Sequence, residues 1–315
     1  MQRITESENI HRIYAGLQLS ANRIMVSEVH SMQCKLANIT IDYEVHGEGR
    51  PLLAIHGYPL DRRVMTGCIE PLFAQRSGWK RIYLDLPGMG KTEGPDWIDS
   101  SDQVLDVVLQ FIDAVIPRQH LALVGESYGG YIAMGVTHRR RSAIDGLALI
   151  CPMTVAETRK RALPGKTVLV ENTALISSLT PEDRSDFESI TVVQSSKTWQ
   201  RFREEILYGL RAANKPFVER LWTHAYGFSF DIGKAAGMFK APTLIIAGRQ
   251  DSAVGYRDMW SILENYPRGT FAVLDRAGHD LQIEQEGLFN ALVNEWLDRV
   301  EESTAQSSSV SLAEV

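Results

Sequence analysis

The stretch LVGESYGGYIA, Leu123 to Ala133, sets Ser127 inside Gly125-Glu126-Ser127-Tyr128-Gly129, between an apolar run, HLALVG, and a run of helical spacing, YIAMGVTHRRR. A G-x-S-x-G motif has chemical meaning only in that context. A sharp turn from strand to helix projects the hydroxyl, and glycines flank it where neighbouring backbones crowd. A serine hydroxyl is a weak nucleophile, so it needs a base and a group that orients the base. Asp251, in GRQDSAV after the run PTLIIAG, and His279, in RAGHDLQ after the run TFAVLD, supply both in the chain order serine, acid, histidine. Taken singly, a loop aspartate is a common turn former and a loop histidine a common surface residue. All three follow apolar runs, which puts them at one edge of a sheet and marks them as a set. His279 is expected to take the serine proton at one ring nitrogen while Asp251 holds the other.

A helix opening at Ser127 points its first amides at a developing oxyanion, which assigns the Tyr128 N–H to that role. His56-Gly57-Tyr58-Pro59 follows the run PLLAIH, where a second donor belongs, and assigns the Tyr58 N–H. His56 itself reads as a buried residue that holds its loop by hydrogen bonds. Glu126 reads as a buried strand-end residue with a structural role, the alternative being an effect on the site's pH response. None of the eight histidines lies in HExxH or other metal spacing, so neither a metal nor another cofactor is expected. In DLPGMGKTEG, Gly90-Lys91-Thr92 ends like a phosphate-binding loop, but Asp85 stands where that loop needs its first glycine. Glu93 likewise breaks a G-x-G-x-x-G begun at Gly88, so the segment reads as a loop beside the site.

These residues need a scaffold, and the chain is built to make one. Its 315 residues are 44% hydrophobic and 23% charged, an ordinary balance for a globular chain with a large core. A net charge of −6 offers no basic footprint for nucleic acid and no polybasic membrane anchor, so a small-molecule substrate is the expected partner, on a monomer or homodimer. Cys34, Cys68 and Cys151 form neither a disulfide framework nor a CxxC site, and no apolar run reaches the length of a spanning helix. With no apolar signal segment at its start, the chain is expected to be cytoplasmic.

Short β-branched runs (ITIDYEV, PLLAIH, RIYLDL, HLALVGE, DGLALI, PTLIIAG, TFAVLD) alternate with amphipathic segments, which predicts an α/β fold with a mostly parallel sheet covered on both faces. KLANITIDYEV suits an antiparallel hairpin at one edge. SDQVLDVVLQFIDAVIP predicts a helix with Ser101 or Asp102 as cap and Pro117 as stop. Residues 1–31 read as a dispensable extension, with Met32 as a possible start, and 303–315 as a flexible serine-rich tail. The alternation breaks after Met153 and resumes at Lys240, so 152–239 is expected to be a helical cap inserted into a core of 32–151 and 240–302.

Taken together, HGYP, DLPGMGKT, GESYGG, GRQD and AGHD resemble the α/β-hydrolase superfamily over about residues 33–300. The resemblance implies an eight-stranded, mostly parallel sheet with the cap after strand 6. It also implies Ser127 as nucleophile, His279 as base, Asp251 as acid, and Tyr58 and Tyr128 as oxyanion donors. HGYP is also similar to epoxide hydrolases and haloalkane dehalogenases, which carry aspartate where this chain has Ser127. GESYGG is similar to the elbow of proline iminopeptidases. An aminopeptidase needs cap carboxylates for a substrate ammonium, and Glu204 and Glu205 are the adjacent pair in the insertion, although such pairs are usually solvated helix faces. The cap aromatics, Trp199 and Trp222 among them, supply both packing and candidate pocket walls. The expected function is hydrolysis of a small carboxylic ester or lactone through an acyl-enzyme. The alternatives are an aminopeptidase with the same residues and a ligand-binding receptor of little turnover.

Overall fold

The computed structural model describes residues 31–235 and 237–313. Residues 1–30, the bulk of the expected N-terminal extension, lie outside them. Ser31 is described, and its hydroxyl already bonds Asp42.

In chain order the framework is β1 Met32–Lys35, β2 Thr40–His46, β3 Arg50–Ile55, α1 Arg63–Ile69, β4 Trp79–Leu84, α2 Ser101–Val115, β5 Leu121–Glu126, α3 Tyr128–Arg140 and β6 Ile144–Ile150. A helical segment follows, with α4 Thr173–Ser178, α5 Pro181–Ile190, α6 Ser196–Arg201, a π-helical turn Phe202–Leu207, α7 Tyr208–Ala212, α8 Lys215–His224 and α9 Ile232–Ala235. The chain then closes with β7 Thr243–Gly248, α10 Arg257–Trp260, β8 Gly269–Leu274, α11 Leu281–Glu284 and α12 Glu286–Ala313.

The eight strands form one sheet in the order β1-β2-β4-β3-β5-β6-β7-β8. β1 and β2 make the expected antiparallel hairpin, β2 lies antiparallel to β4, and every later pairing is parallel. β5 and β7 are buried along their whole length, as strands covered on both faces must be. α3 is buried all round from Tyr128 to Thr137, so it carries no amphipathic signal, and its helix is set by the turn that precedes it.

Two boundaries differ from the sequence expectation. The cap of α2 is Ser100, whose hydroxyl accepts from the Gln103 amide while the Gln103 side chain accepts from the Ser100 amide, a reciprocal capping box. Ser101 is therefore the first helical residue and buries its hydroxyl between Tyr128 Oη at 2.8 Å and the Tyr226 carbonyl at 2.7 Å. The tail expected to be flexible from 303 continues α12 to Ala313, because no glycine or proline after Gly287 interrupts the helix. Pro181 does open α5 behind its Thr180 cap.

One ionic knot holds the loops at the carboxyl edge. Arg62, at the start of α1, is buried with Asp42 at 2.8 Å, Glu44 at 2.7 Å and Asp85 at 2.6 Å. Asp85 also accepts the amides of Arg62 and Lys91. His56 links the same loops, with Nε2 accepting the Leu86 amide and Nδ1 donating to the Gly57 carbonyl, so its expected loop-holding role is met. The glycines of DLPGMGKTEG admit the cap. A Cβ on Gly88 (φ +73°) would lie 2.1 Å from the Phe217 ring and one on Gly94 2.6 Å from it, and the Asn214 amide donates to the Gly88 carbonyl. Among the described residues no helix is long and apolar enough to cross a membrane.

Removing Arg62 leaves the buried Asp42 and Asp85 without their cation and the half-buried Glu44 with only His46 beside it. Arg62→Ala is expected to destabilise the fold by about 3 to 5 kcal/mol. Urea unfolding checks it; a loss of less than about 1 kcal/mol, the range of an exposed ion pair, would show that the knot is not holding the loops.

Candidate active site

β5 ends at Glu126 and α3 begins at Tyr128, so a single residue turns the chain. Ser127 does so at φ 52° and ψ −115°, a conformation that costs a residue with a side chain about 1 to 3 kcal/mol. Its amide donates to the Ile150 carbonyl, and its carbonyl accepts the amides of Tyr131 and Met153. Gly125 and Gly129 permit the crowding, since a Cβ on Gly125 would lie 2.4 Å from the Gly129 carbonyl oxygen and one on Gly129 2.1 Å from that of Ile55.

The structure brings Ser127, His279 and Asp251 together from three strand ends. Ser127 Oγ is 2.9 Å from His279 Nε2, and His279 Nδ1 is 2.9 Å from Asp251 Oδ2. Ser127 and His279 are each 8% exposed and Asp251 is 0% exposed. The other Asp251 oxygen accepts the amides of Ala253 and Val254 at 2.8 and 3.0 Å. Burial works against charge on Asp251, but His279 and these amides hold its carboxyl below the ordinary value. Burial also opposes the imidazolium; Asp251 outweighs it, Glu126 and Asp280 add to the pull, and His279 is pushed up to about 9. Such a pair can take a proton from the serine and keep the resulting cation in place.

Neither the Tyr58 nor the Tyr128 amide has an acceptor among the described residues, which leaves both free for an incoming oxygen. Their side chains form a wall. Tyr128 stacks on Tyr226 at 5.0 Å, Tyr58 meets Tyr226 edge-on at 5.1 Å, and the Tyr58 hydroxyl donates to the Val218 carbonyl. Trp222, 45% exposed, stacks on Tyr58 at 6.1 Å and packs on Tyr226 at 4.6 Å. Trp222 and Tyr226 also border a cleft of about 520 Å³ that reaches Tyr131, Ala156 and Lys160.

The other cap residues singled out in the sequence lie elsewhere. Trp199 packs on Phe187 at 5.3 Å and Phe202 at 6.1 Å, inside the cap itself. Glu205 is buried and doubly bonded to Arg201, at 2.6 and 2.9 Å, and faces Gly67. Glu204 is exposed beside Gln200 and Arg203. Neither carboxylate is free to hold a substrate ammonium, because the π-helical turn that carries both directs one into an ion pair and the other to water.

Tyr226, in HAYGF, is one of the cap aromatics that the sequence offered as pocket walls, and it carries the wall described above. Sequence reasoning missed two supports. Glu284, five residues past His279, accepts the amides of Gly278, Val192 and Val193, so it fastens the histidine loop to the cap. Arg161 donates to the carbonyls of Val155 and Ala253, each at 2.8 Å, and the Ala162 amide donates to Asp258, so residues 153–163 strap the cap to the Asp251 loop. The sequence signal for these was weak, since the bonds that join the cap to the loops span ninety or so residues. Cys151, Asp251 and His279 offer three possible metal-ligand atoms within 4.8 Å of one another. Asp251 and His279 are already bonded together, and burial pushes the Cys151 thiol well up, so the set is a hydrogen-bonded one.

Glu284→Leu strands three buried amides. It is expected to cost roughly 3 kcal/mol in stability and to slow reaction of Ser127 with a fluorophosphonate probe. Unaltered thermal unfolding and labelling would show that the histidine loop stands without it.

The family model described as serine aminopeptidase, S33, matches residues 52–286. A 2-hydroxy-6-oxononadienedioate/2-hydroxy-6-oxononatrienedioate hydrolase of Burkholderia vietnamiensis is 29% identical over 232 residues, covering 71% of this chain and 78% of the relative. A pimeloyl-(acyl-carrier protein) methyl ester esterase of Legionella pneumophila is 24% identical, covering 82% of this chain and all 100% of the relative. A solved α/β-superfamily hydrolase from Oenococcus oeni superposes with a TM-score of 0.76 at 30% identity, over 83% of this chain and 96% of that one. Joined to the eight-stranded sheet, the match over most of the chain places the protein in the serine aminopeptidase S33 family of the α/β-hydrolase superfamily, as an enzyme of the hydrolase class.

Proposed function

We propose that the protein hydrolyses a small carboxylic ester or lactone by acyl transfer through Ser127. The observation that carries this reading is the unbroken path from Ser127 Oγ through His279 to Asp251, set beside two unengaged amides. Ser127 Oγ attacks the ester carbon as its proton passes to His279 Nε2. Asp251 holds the imidazolium, and the Tyr58 and Tyr128 amides receive the oxyanion, an arrangement worth roughly 10² to 10³ in rate per donor. The imidazolium then gives its proton to the leaving alkoxide. Water, deprotonated by the same nitrogen, attacks the acyl carbon, and the acid leaves as that proton returns to Ser127 Oγ.

Ester cleavage takes precedence over peptide cleavage because the cap carboxylates that an ammonium would need, Glu204 and Glu205, are solvated or paired. A relative named as a methyl ester esterase supports the same substrate class. The aromatic wall of Tyr58, Trp222 and Tyr226 suits an apolar acyl or alcohol group.

The test compares p-nitrophenyl esters of graded acyl length with prolyl and other aminoacyl p-nitroanilides, each beside Ser127→Ala. Multiple turnovers of esters are expected, lost by at least about 10³ in the variant. Preferential turnover of the anilides would move the reading to an aminopeptidase, probe labelling without turnover would move it to a receptor, and a fully active Ser127→Ala would end it. Because His279 keeps its proton up to about 9, kcat/KM for the best ester is expected to climb with pH through that value as the base is freed. A profile flat from about pH 6 to 9 would contradict the assignment of His279 as base.

A further inference from the structure

Glu126 is left over by the mechanism just given. It is the last residue of β5 and 1% exposed, yet it bears a carboxyl group at a place where an apolar side chain would cost nothing to bury. Oε2 makes no well-aligned hydrogen bond among the described residues, the Gly57 backbone being the one amide that draws on the carboxylate, and it occupies the space that Gly57 leaves open, 2.1 Å from where a Cβ on that glycine would sit. Oε1 lies 3.6 Å from His279 Nε2. The imidazole therefore has a carboxyl group on both sides: Asp251 bonded to Nδ1, and Glu126 beside the nitrogen that also meets Ser127 Oγ.

Six titratable groups face Glu126: His279, Asp251 and Asp280 from the loops after β8 and β7, Cys68 from α1, Cys151 from the end of β6, and Tyr226 from the cap. Burial keeps the two thiols and the phenol neutral and pushes the Asp280 carboxyl well up. His279 is thus the one basic group in the set. A carboxylate at this place has a single counter-charge to answer, and that charge exists only while the base holds a proton.

We propose that Glu126 is a positioning residue that acts through His279, its charge stabilising the imidazolium at Nε2 and so setting the pH at which the base becomes available. The proposal rests on the Ser127–His279–Asp251 reading above. Glu126 neither touches the substrate nor takes the serine proton; that proton moves from Oγ to Nε2 and onward to the leaving group. Two groups this close titrate as a pair. Burial lifts Glu126 to about 7 against the opposing pull of His279, which itself reaches about 9, so between those values the pair is carboxylate and imidazolium. Within that window the enzyme is charged and waiting. It gains activity as the imidazolium loses its proton.

The test measures the pH dependence of fluorophosphonate labelling in the full-length chain for the wild type, Glu126→Gln, Glu126→Asp and Ser127→Ala, with thermal unfolding of each. Glu126→Gln keeps the shape and removes the charge, so its acid limb is expected to move down by about one pH unit or more, with a plateau rate roughly tenfold lower. Glu126→Asp keeps the charge and is expected to stay near the wild-type limb. A Glu126→Gln limb that coincides with the wild type, whatever happens to the melting temperature, would overturn the proposal while leaving the Ser127 reading intact. A wild-type chain that labels no better than Ser127→Ala would remove both. An NMR titration of the His279 ring protons in the wild type decides the matter without any variant of Glu126. Two steps, one from each member of the pair, support the proposal, and a single step at an ordinary histidine value overturns it.

Discussion

The conformation of one residue governs the site. Ser127 must end a central strand and begin a buried helix with no residue to spare, and its left-handed φ is the geometric result. A turn of that kind is stable only if its surroundings insist on it. Here they do so from two sides: the Ser127 amide is claimed by β6, and its carbonyl is claimed by α3 and by Met153 at the entrance to the cap. The strain is the means by which the hydroxyl stands clear of the sheet while the next amide stays free of any intrahelical duty.

The same turn explains why the glycines stand where they do. Gly125 and Gly129 face carbonyl oxygens across the elbow, and Gly57 faces Glu126 and Ser127 from the neighbouring strand end. The loop of Gly57 and Tyr58 can therefore lie directly against Ser127. Farther out, Gly88 and Gly94 perform a different service, making room for a cap phenylalanine. Arg62 then ties the ends of β2, β4 and α1 into one rigid rim.

What could be read from the sequence follows a physical rule. The sheet was legible because buried parallel strands demand unbroken β-branched runs, and Ser127, Asp251 and His279 were legible because each sits just past such a run. Both signals are local. The groups that went unread are those whose meaning depends on a distant partner. Glu284 looks like any acidic residue in a short helix until the cap places two amides on it, and Glu205 looks like a solvated helix face until Arg201 and Gly67 enclose it. Adjacent serines hid the true cap of α2, since only one of the two hydroxyls can face the Gln103 amide. The aromatic residues of the cap were countable, but their division into an inner packing group around Phe187 and a wall beside Tyr128 depends on how the helices are folded over the sheet.

The strap of residues 153–163 has a consequence for how such a molecule can diversify. It is bonded to the Ser127 turn at one end, through the Met153 amide, and to the Asp251 loop and α10 at the other, through the Arg161 side chain and the Ala162 amide. The helices from α4 to α8 lie beyond it, and only their outward faces can be re-surfaced without disturbing the site, since Val192 and Val193 are tied to Glu284 and Val218 to Tyr58. The strap and the Asp251 loop have less independence still. They form a fixed socket, and a change on one side of it must be matched by a change on the other.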